Sequence, residues 1–263
     1  MEQVTSQDGT RIAFDRTGEG PALVLVNGAF NDRSMTAEKA AGLGAYFTAV
    51  SYDRRGRGDS GDTLPYAPER EIEDLTAVIE AVGGEAFVYG MSSGAALSLI
   101  AAAAGAPIAG LAVFEPPYRM PDGPPAPDRY LERMTEFGAA RKSVDAARLF
   151  IVEAVGMPES EFEGLVHSPM WPAFEAMAHT LAYDATVMGD SAVPEELLAR
   201  VPVPTIAFAS SASPEWLRGG AQAAGRLVPG AEYHQVDGVF HDAPPEVVGP
   251  VLTEFFAARG LLG

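Results

Sequence analysis

VYGMSSGAA, residues 88–96, joins two unlike patterns. Before its serines, EAFVYG (85–90) is an unbroken apolar run, the signature of a strand buried on both faces. After them, SSGAALSLIAAAAG is a helical run stopped by Gly105. The junction Gly90-Met91-Ser92-Ser93-Gly94 fits G-x-S-x-G. A nucleophile at such a junction sits on a strained strand-to-helix turn, and flanking glycines let neighbouring backbone pass without a Cβ clash. The free N–H groups and the dipole at the helix start favour a developing negative charge. This context makes the stretch a functional element rather than a plain glycine-rich turn.

The same alternation continues on both sides. MEQVTSQDGTRIAFDRTG reads as two short strands around Asp8-Gly9. ALVLVNG (22–28), YFTAVSYD (46–53) and IAGLAVFEPP (108–117) are further buried-strand runs, the last closed by two prolines. Pro68–Val82 has helical spacing and an acidic first turn. Residues 118–200 carry helical patterns over Asp128–Gly138, Ser143–Val155, Ser160–Val166 and Trp171–Met188, and no convincing strand; PDGPPAP (121–127) reads as the hinge into them. After Pro204 the order resumes as TIAFAS strand, PEWLRGGAQAAGRLV helix, AEYHQVDG strand and PPEVVGPVLTEFFAARG helix. Strands alternating with helices imply an α/β domain, a mostly parallel central sheet flanked by helices. The expected division is a core of residues 1–117 and 201–263, with 118–200 as a helical insertion.

Composition narrows the function. Acidic residues outnumber basic ones, 36 to 18 in 263 residues, and Lys39 and Lys142 are the two lysines. A net charge of −18 disfavours nucleic acid and anionic membrane surfaces as partners. No apolar run reaches membrane length. The absence of cysteine excludes disulfides and thiolate metal sites. MEQVTSQDGTRIAF has neither a basic n-region nor an apolar h-region, so cytoplasm is the expected location.

Three loops at strand ends are candidates for chemistry. LVNGAF (25–30) breaks a buried strand into Asn27-Gly28-Ala29, and YDRRGRGDS (52–60) reads as structural. Gly238-Val239-Phe240-His241-Asp242 follows the last strand, and His241 is the histidine placed in a loop at a strand's carboxyl end. His234 lies in strand alternation; His167 and His179 lie in the insertion.

Together these residues resemble the α/β-hydrolase family, specifically its capped, esterase/haloperoxidase-like members. The likeness spans essentially the whole chain and implies an α/β-hydrolase fold with an inserted helical cap over 118–200. It implies Ser92 as nucleophile, His241 as general base, and the Ala29 and Ser93 amides as the oxyanion hole. Asn27, Phe30, Met91, Trp171 and His179 are the residues it suggests for contact with substrate. Two departures stand out: the oxyanion loop begins Asn27-Gly28 where His-Gly is usual, and FASSASPEW (208–216) has serines where the family usually carries the triad aspartate. Asp237, Asp242, Glu215 and Asp184 are weaker substitutes than Glu115, which ends the strand following the Ser92 strand and helix. That end of a parallel sheet is where sites assemble. Pro116 is expected to hold Glu115 extended. Some relatives, including a subset of haloalkane dehalogenases, are similar in taking the acid from this strand.

The implied activity is a serine hydrolase of small, fairly apolar esters, thioesters or lactones, acting through Ser92, His241 and Glu115. Epoxide hydrolases and dehalogenases attack with aspartate, and Ser92 disfavours both. A cyclase, lyase or isomerase on this fold and a low-turnover binding protein are the alternatives. No metal or organic cofactor is implied; the expected partner is a small-molecule substrate, with a homodimer left open.

Overall fold

Eight strands form one sheet in the computed structural model, which describes residues 1–262. They are β1 (Glu2–Thr5), β2 (Arg11–Thr17), β3 (Ala22–Val26), β4 (Thr48–Tyr52), β5 (Ala86–Met91), β6 (Ile108–Phe114), β7 (Thr205–Ser210) and β8 (Glu232–Val236). Their order across the sheet is β1-β2-β4-β3-β5-β6-β7-β8. β2 pairs antiparallel with both β1 and β4, and every later pairing is parallel. The unbroken apolar runs follow from burial on both faces.

Alternate residues of each strand serve opposite faces. Leu23, Leu25, Phe87 and Phe208 pack with Leu43 of α1 (Ala37–Leu43). Val24, Val26, Val88 and Val113 pack with Leu75 and Val78 of α2 (Pro68–Ala81) and Leu97 of α3 (Ser93–Ala103).

Between β6 and β7 lie α4 (Tyr130–Ala139), α5 (Ser143–Arg148), α6 (Glu159–Val166), α7 (Trp171–Met177), α8 (Leu181–Met188) and α9 (Glu195–Leu198). Met134, Leu149, Phe162, Trp171, Met177 and Leu181 of this segment form a third hydrophobic cluster together with Phe30. Two single helices expected from periodicity are subdivided. The 143–155 stretch widens into a π-helical turn at Leu149–Ala154, and 171–188 passes through a 3₁₀ turn at Ala178–Thr180. Both preserve apolar spacing closely enough to look like continuous α-helix in sequence. α11 (Pro245–Ala257) covers the first face and α10 (Glu215–Leu227) the second; Leu252 and Phe256 join the first core, Ala221 and Ala224 the other. Among the described residues no helix is long and apolar enough to cross a membrane.

The parallel topology sends the chain out of β3, β5, β6, β7 and β8 on the same edge of the sheet. Asn27–Phe30, Ser92, Glu115, Ser210–Ser213 and Gly238–Asp242 therefore gather there, although they span most of the sequence.

The Phe256 ring is fully buried, stacks on Phe87 at 4.0 Å between centroids and meets Phe47 edge-on at 6.4 Å. Phe256→Ala is expected to lower unfolding free energy by about 3–5 kcal/mol. Met170→Ala, at a side chain 57% exposed, should change it by less than about 0.5 kcal/mol. Urea denaturation of the two variants measures both.

Candidate active site

Ser92 sits between β5 and α3 with φ 56° and ψ −128°. A non-glycine residue held there costs of order 1–3 kcal/mol, which the surrounding structure must oppose. Its N–H donates to Phe114 O at 2.9 Å, and its carbonyl accepts from Ala95 N at 2.9 Å. Its hydroxyl makes no capping bond to the helix. The backbone is thus fixed while Oγ stays available. A Cβ on Gly94 would fall 2.1 Å from Val26 O, and one on Gly28 would fall 2.7 Å from Ser92 Cβ. Only glycine at both positions lets the helix start, the Ser92 turn and the end of β3 come this close.

His241 reaches the same cavity from the loop after β8. Its Nδ1 lies 2.6 Å from Glu115 Oε2, while Glu115 Oε1 accepts the Ser210 N–H at 2.8 Å. The ionised carboxylate only accepts, so Nδ1 carries the hydrogen and Nε2 is left as the acceptor. Glu115 is fully buried. Its φ is +44°, not the extended value expected from Pro116, so its strand exit is strained and its direction is set by these two bonds and by Glu115 N donating to Phe208 O at 3.1 Å. Ser213 Oγ accepts the His241 backbone N–H at 2.9 Å. Ser92, Glu115 and His241 are three of seven non-glycine residues with positive φ, so backbone strain concentrates at this site. Ser92 and His241 line one cavity without a direct hydrogen bond; such contacts often tighten only in the reacting complex.

The other carboxylates are engaged elsewhere. Asp242 Oδ1 receives Lys39 Nζ at 2.5 Å and the Ala243 N–H at 2.8 Å. Glu215 pairs with Arg218, and Asp237 is within 3.4 Å of Ser211 Oγ. Asp184 lies among arginines. Its Oδ1 receives Arg54 Nη1 at 2.6 Å and the Ser93 hydroxyl at 2.7 Å; its Oδ2 receives Arg57 Nη2 at 2.7 Å. Burial opposes its ionisation, but Arg57, Arg54 and Ser93 outweigh that and hold the carboxyl below its usual range. Glu71 grips Arg54 through two bonds of 2.6 Å. The YDRRGRGDS arginines are buried and ion-paired, Arg54 with Glu71 and Asp184, Arg55 with Asp74 and Asp8, and Arg57 with Asp184.

The Ala29 and Ser93 N–H groups have no acceptor among the described residues, and both residues line the cavity together with Ser92. The cavity, about 340 Å³, is of the size that small-molecule sites occupy. Met91 lines it, together with Tyr118, Phe150, Met188 and Leu217. Four residues assigned to substrate contact lie elsewhere. Asn27 is buried and braces its loop, donating to Thr36 Oγ1 at 3.1 Å. Phe30 inserts edge-on between Phe150 and Phe174, at 5.8 and 5.2 Å. Trp171 packs against Phe162, and His179 Nε2 faces Asp62 Oδ2 at 3.3 Å. Phe30 and Trp171 thus join the packing of the inserted segment, whereas Asn27 and His179 are held by Thr36 and Asp62; residue type alone does not distinguish either arrangement from a cavity wall. Residues 123–127, expected as a hinge, form part of the wall. The π-helical turn contributes Phe150 and Ala154, at the kind of irregularity that often marks function.

Residues 23–249 match the model of a family described as the alpha/beta hydrolase family. An alpha/beta hydrolase from Sphaerobacter thermophilus is 50% identical, with a TM-score of 0.89, over 97% of this chain and 100% of that one. A thermophilic esterase from Thermogutta terrifontis is similar in fold, at 20% identity and a TM-score of 0.71, over 100% and 99% of the two chains. N-formylmaleamate deformylase of Pseudomonas putida is 36% identical over 121 residues, 44% of this chain and 45% of that protein. The curated relatives are thus matched over less than half their length.

The Ser93 hydroxyl is buried and committed to Asp184, whereas Ser92 Oγ is uncapped at the cavity. A fluorophosphonate probe should therefore label Ser92, with labelling lost in Ser92→Ala at little change in thermal stability. Peptide mapping of the adduct checks this; a phosphonate on Ser93 would contradict it.

Proposed function

The chain belongs to the alpha/beta hydrolase family, and we propose on that premise that it is a serine hydrolase of small, fairly apolar esters, thioesters or lactones. One observation carries the reading: a serine on a strained turn shares a cavity with a histidine whose Nδ1 is 2.6 Å from a fully buried carboxylate.

In this mechanism His241 Nε2 takes the Ser92 proton as Oγ attacks the acyl carbon, and Glu115 stabilises the imidazolium that forms. The negative charge on the former carbonyl oxygen develops toward the Ala29 and Ser93 N–H groups. The protonated histidine returns its proton to the departing alcohol or thiol. Water, deprotonated by the same histidine, then attacks the acyl-enzyme and releases the acid. The apolar side chains of Tyr118, Phe150 and Met188 along the wall favour an uncharged acyl or alkyl group. Residues 118–200 supply much of that wall and act as the cap that selects substrates. The partial likeness to a deformylase supports acyl transfer to water as the reaction class without extending to its substrate.

Glu115→Gln keeps the shape and removes the charge; turnover of an activated ester should fall on the scale of ~10⁴, as in the equivalent serine-protease change. Full activity in that variant, measured by initial rates, would exclude Glu115 as the acid.

Cavity and packing residues should separate cleanly. Phe150→Ala or Met188→Ala is expected to shift the preferred acyl length across an ester panel. Trp171→Ala, whose ring packs on Phe162, should lower thermal stability and leave the length profile flat.

A further inference from the structure

Arg57 comes from the loop after β4 and is almost fully buried, yet four of its bonds converge on groups around the site. Nη1 donates to Gly28 O at 2.5 Å and to Asn31 O at 3.2 Å. Nη2 donates to Asp184 Oδ2 at 2.7 Å, and Nε to Thr180 Oγ1 at 3.1 Å. The Gly28 carbonyl belongs to the same peptide unit as the Ala29 N–H. In a planar trans peptide the two point in opposite directions, so a guanidinium that grips the oxygen also aims the N–H.

We infer that Arg57 is a positioning residue for the oxyanion site, holding the Gly28–Ala29 peptide with its N–H directed at the cavity while Asp184 couples that peptide to the Ser92–Ser93 turn. This rests on the serine hydrolase reading proposed above. A charged donor on the carbonyl also polarises the amide, which strengthens its N–H as a donor.

The second half of the coupling is Asp184. Its carboxylate receives Arg57 on one oxygen, and Arg54 and the Ser93 hydroxyl on the other. Arg54 Nη1 additionally donates to Asn27 O at 3.2 Å. Both peptide donors proposed for the oxyanion, at Ala29 and Ser93, thus lean on one buried carboxylate supplied by α8. The segment between β6 and β7 therefore reaches beneath the reacting atoms as well as walling the cavity. Burial pulls the Arg57 guanidinium below its usual range and Arg54 adds to this, while Asp184 and Glu71 oppose it. Arginine remains the cation here, because lysine offers three donors from one point and cannot span the four acceptors that the planar fork meets.

The test separates transition-state from ground-state effects. Arg57→Lys should lower kcat by about 10- to 100-fold, a fraction of what loss of a whole oxyanion donor does. KM should stay within about two-fold, because the oxyanion forms only in the transition state. Butylboronic acid, which forms a tetrahedral adduct on serine, should bind more weakly by the same factor as kcat/KM; butyrate should bind as it does to the unsubstituted enzyme. Ser93→Ala, a smaller change that severs the other end of the bridge, should weaken the boronate selectively to a lesser degree and provides the readout if Arg57→Lys does not fold. Unchanged boronate affinity in the folded variants, or equal weakening of boronate and butyrate, would overturn the inference. If the unsubstituted enzyme forms no boronate adduct at Ser92, the serine hydrolase reading fails first and takes the inference with it.

Discussion

The first turn of α3 lies against the end of β3 at a distance that admits no side chain. A Cβ at Gly94 would stand 2.1 Å from Val26 O and 2.7 Å from Asn27 O. Much of the site follows from this approach. It brings the Ser92 turn against Gly28, so two loops from different strands meet at one point. It leaves Ala29 and Ser93, whose N–H groups have no acceptor among the described residues, lining one cavity. Below the contact, buried arginine–carboxylate pairs hold the loop carbonyls, and breaking such a pair typically costs about 3–5 kcal/mol because a buried charge is left alone. The strained Ser92 backbone is therefore held from both sides.

The carboxylate beside His241 is placed by the sheet rather than by a neighbour in sequence. β6 lies between β5 and β7, so a side chain leaving β6 can meet both the β7 bend and the histidine loop after β8. Glu115 does this with its two oxygens, one on Ser210 N–H and one on His241. The bend that carries serines instead of aspartate is not idle. Ser210 presents its N–H to the carboxylate, and Ser213 accepts the His241 backbone N–H.

The strands, their mostly parallel order and the G-x-S-x-G turn were legible because burial on both faces writes continuous apolar runs and because glycine spacing reports backbone contact. Ser92, His241 and Glu115 could be picked out from their positions at strand ends. The conformation of Glu115 could not: a proline rule expresses a local preference, and two hydrogen bonds from distant strands override it. Phe30, Trp171 and His179 show the same limit, since an aromatic residue in a loop or a helical segment packs inward or faces a cavity according to tertiary contacts absent from local spacing. Asp184 and the Arg54–Arg57 pair were harder still. Their partners are about 130 residues away, as the Arg54–Asp184 and Arg57–Asp184 bonds show. Three arginines in one loop after a buried strand, in a chain with 18 basic residues, are the signal that could have marked them.

The proposed acyl transfer depends on two peptide N–H groups, those of Ala29 and Ser93, meeting one oxygen beside Ser92. A crystal structure of the phosphonylated protein tests this directly, because the phosphoryl oxygen occupies the place of the oxyanion. The expected result is an adduct on Ser92 Oγ whose phosphoryl oxygen lies about 2.7–3.1 Å from both the Ala29 and the Ser93 nitrogen. An adduct whose oxygen points away from those two groups, or one formed on another residue, would contradict it.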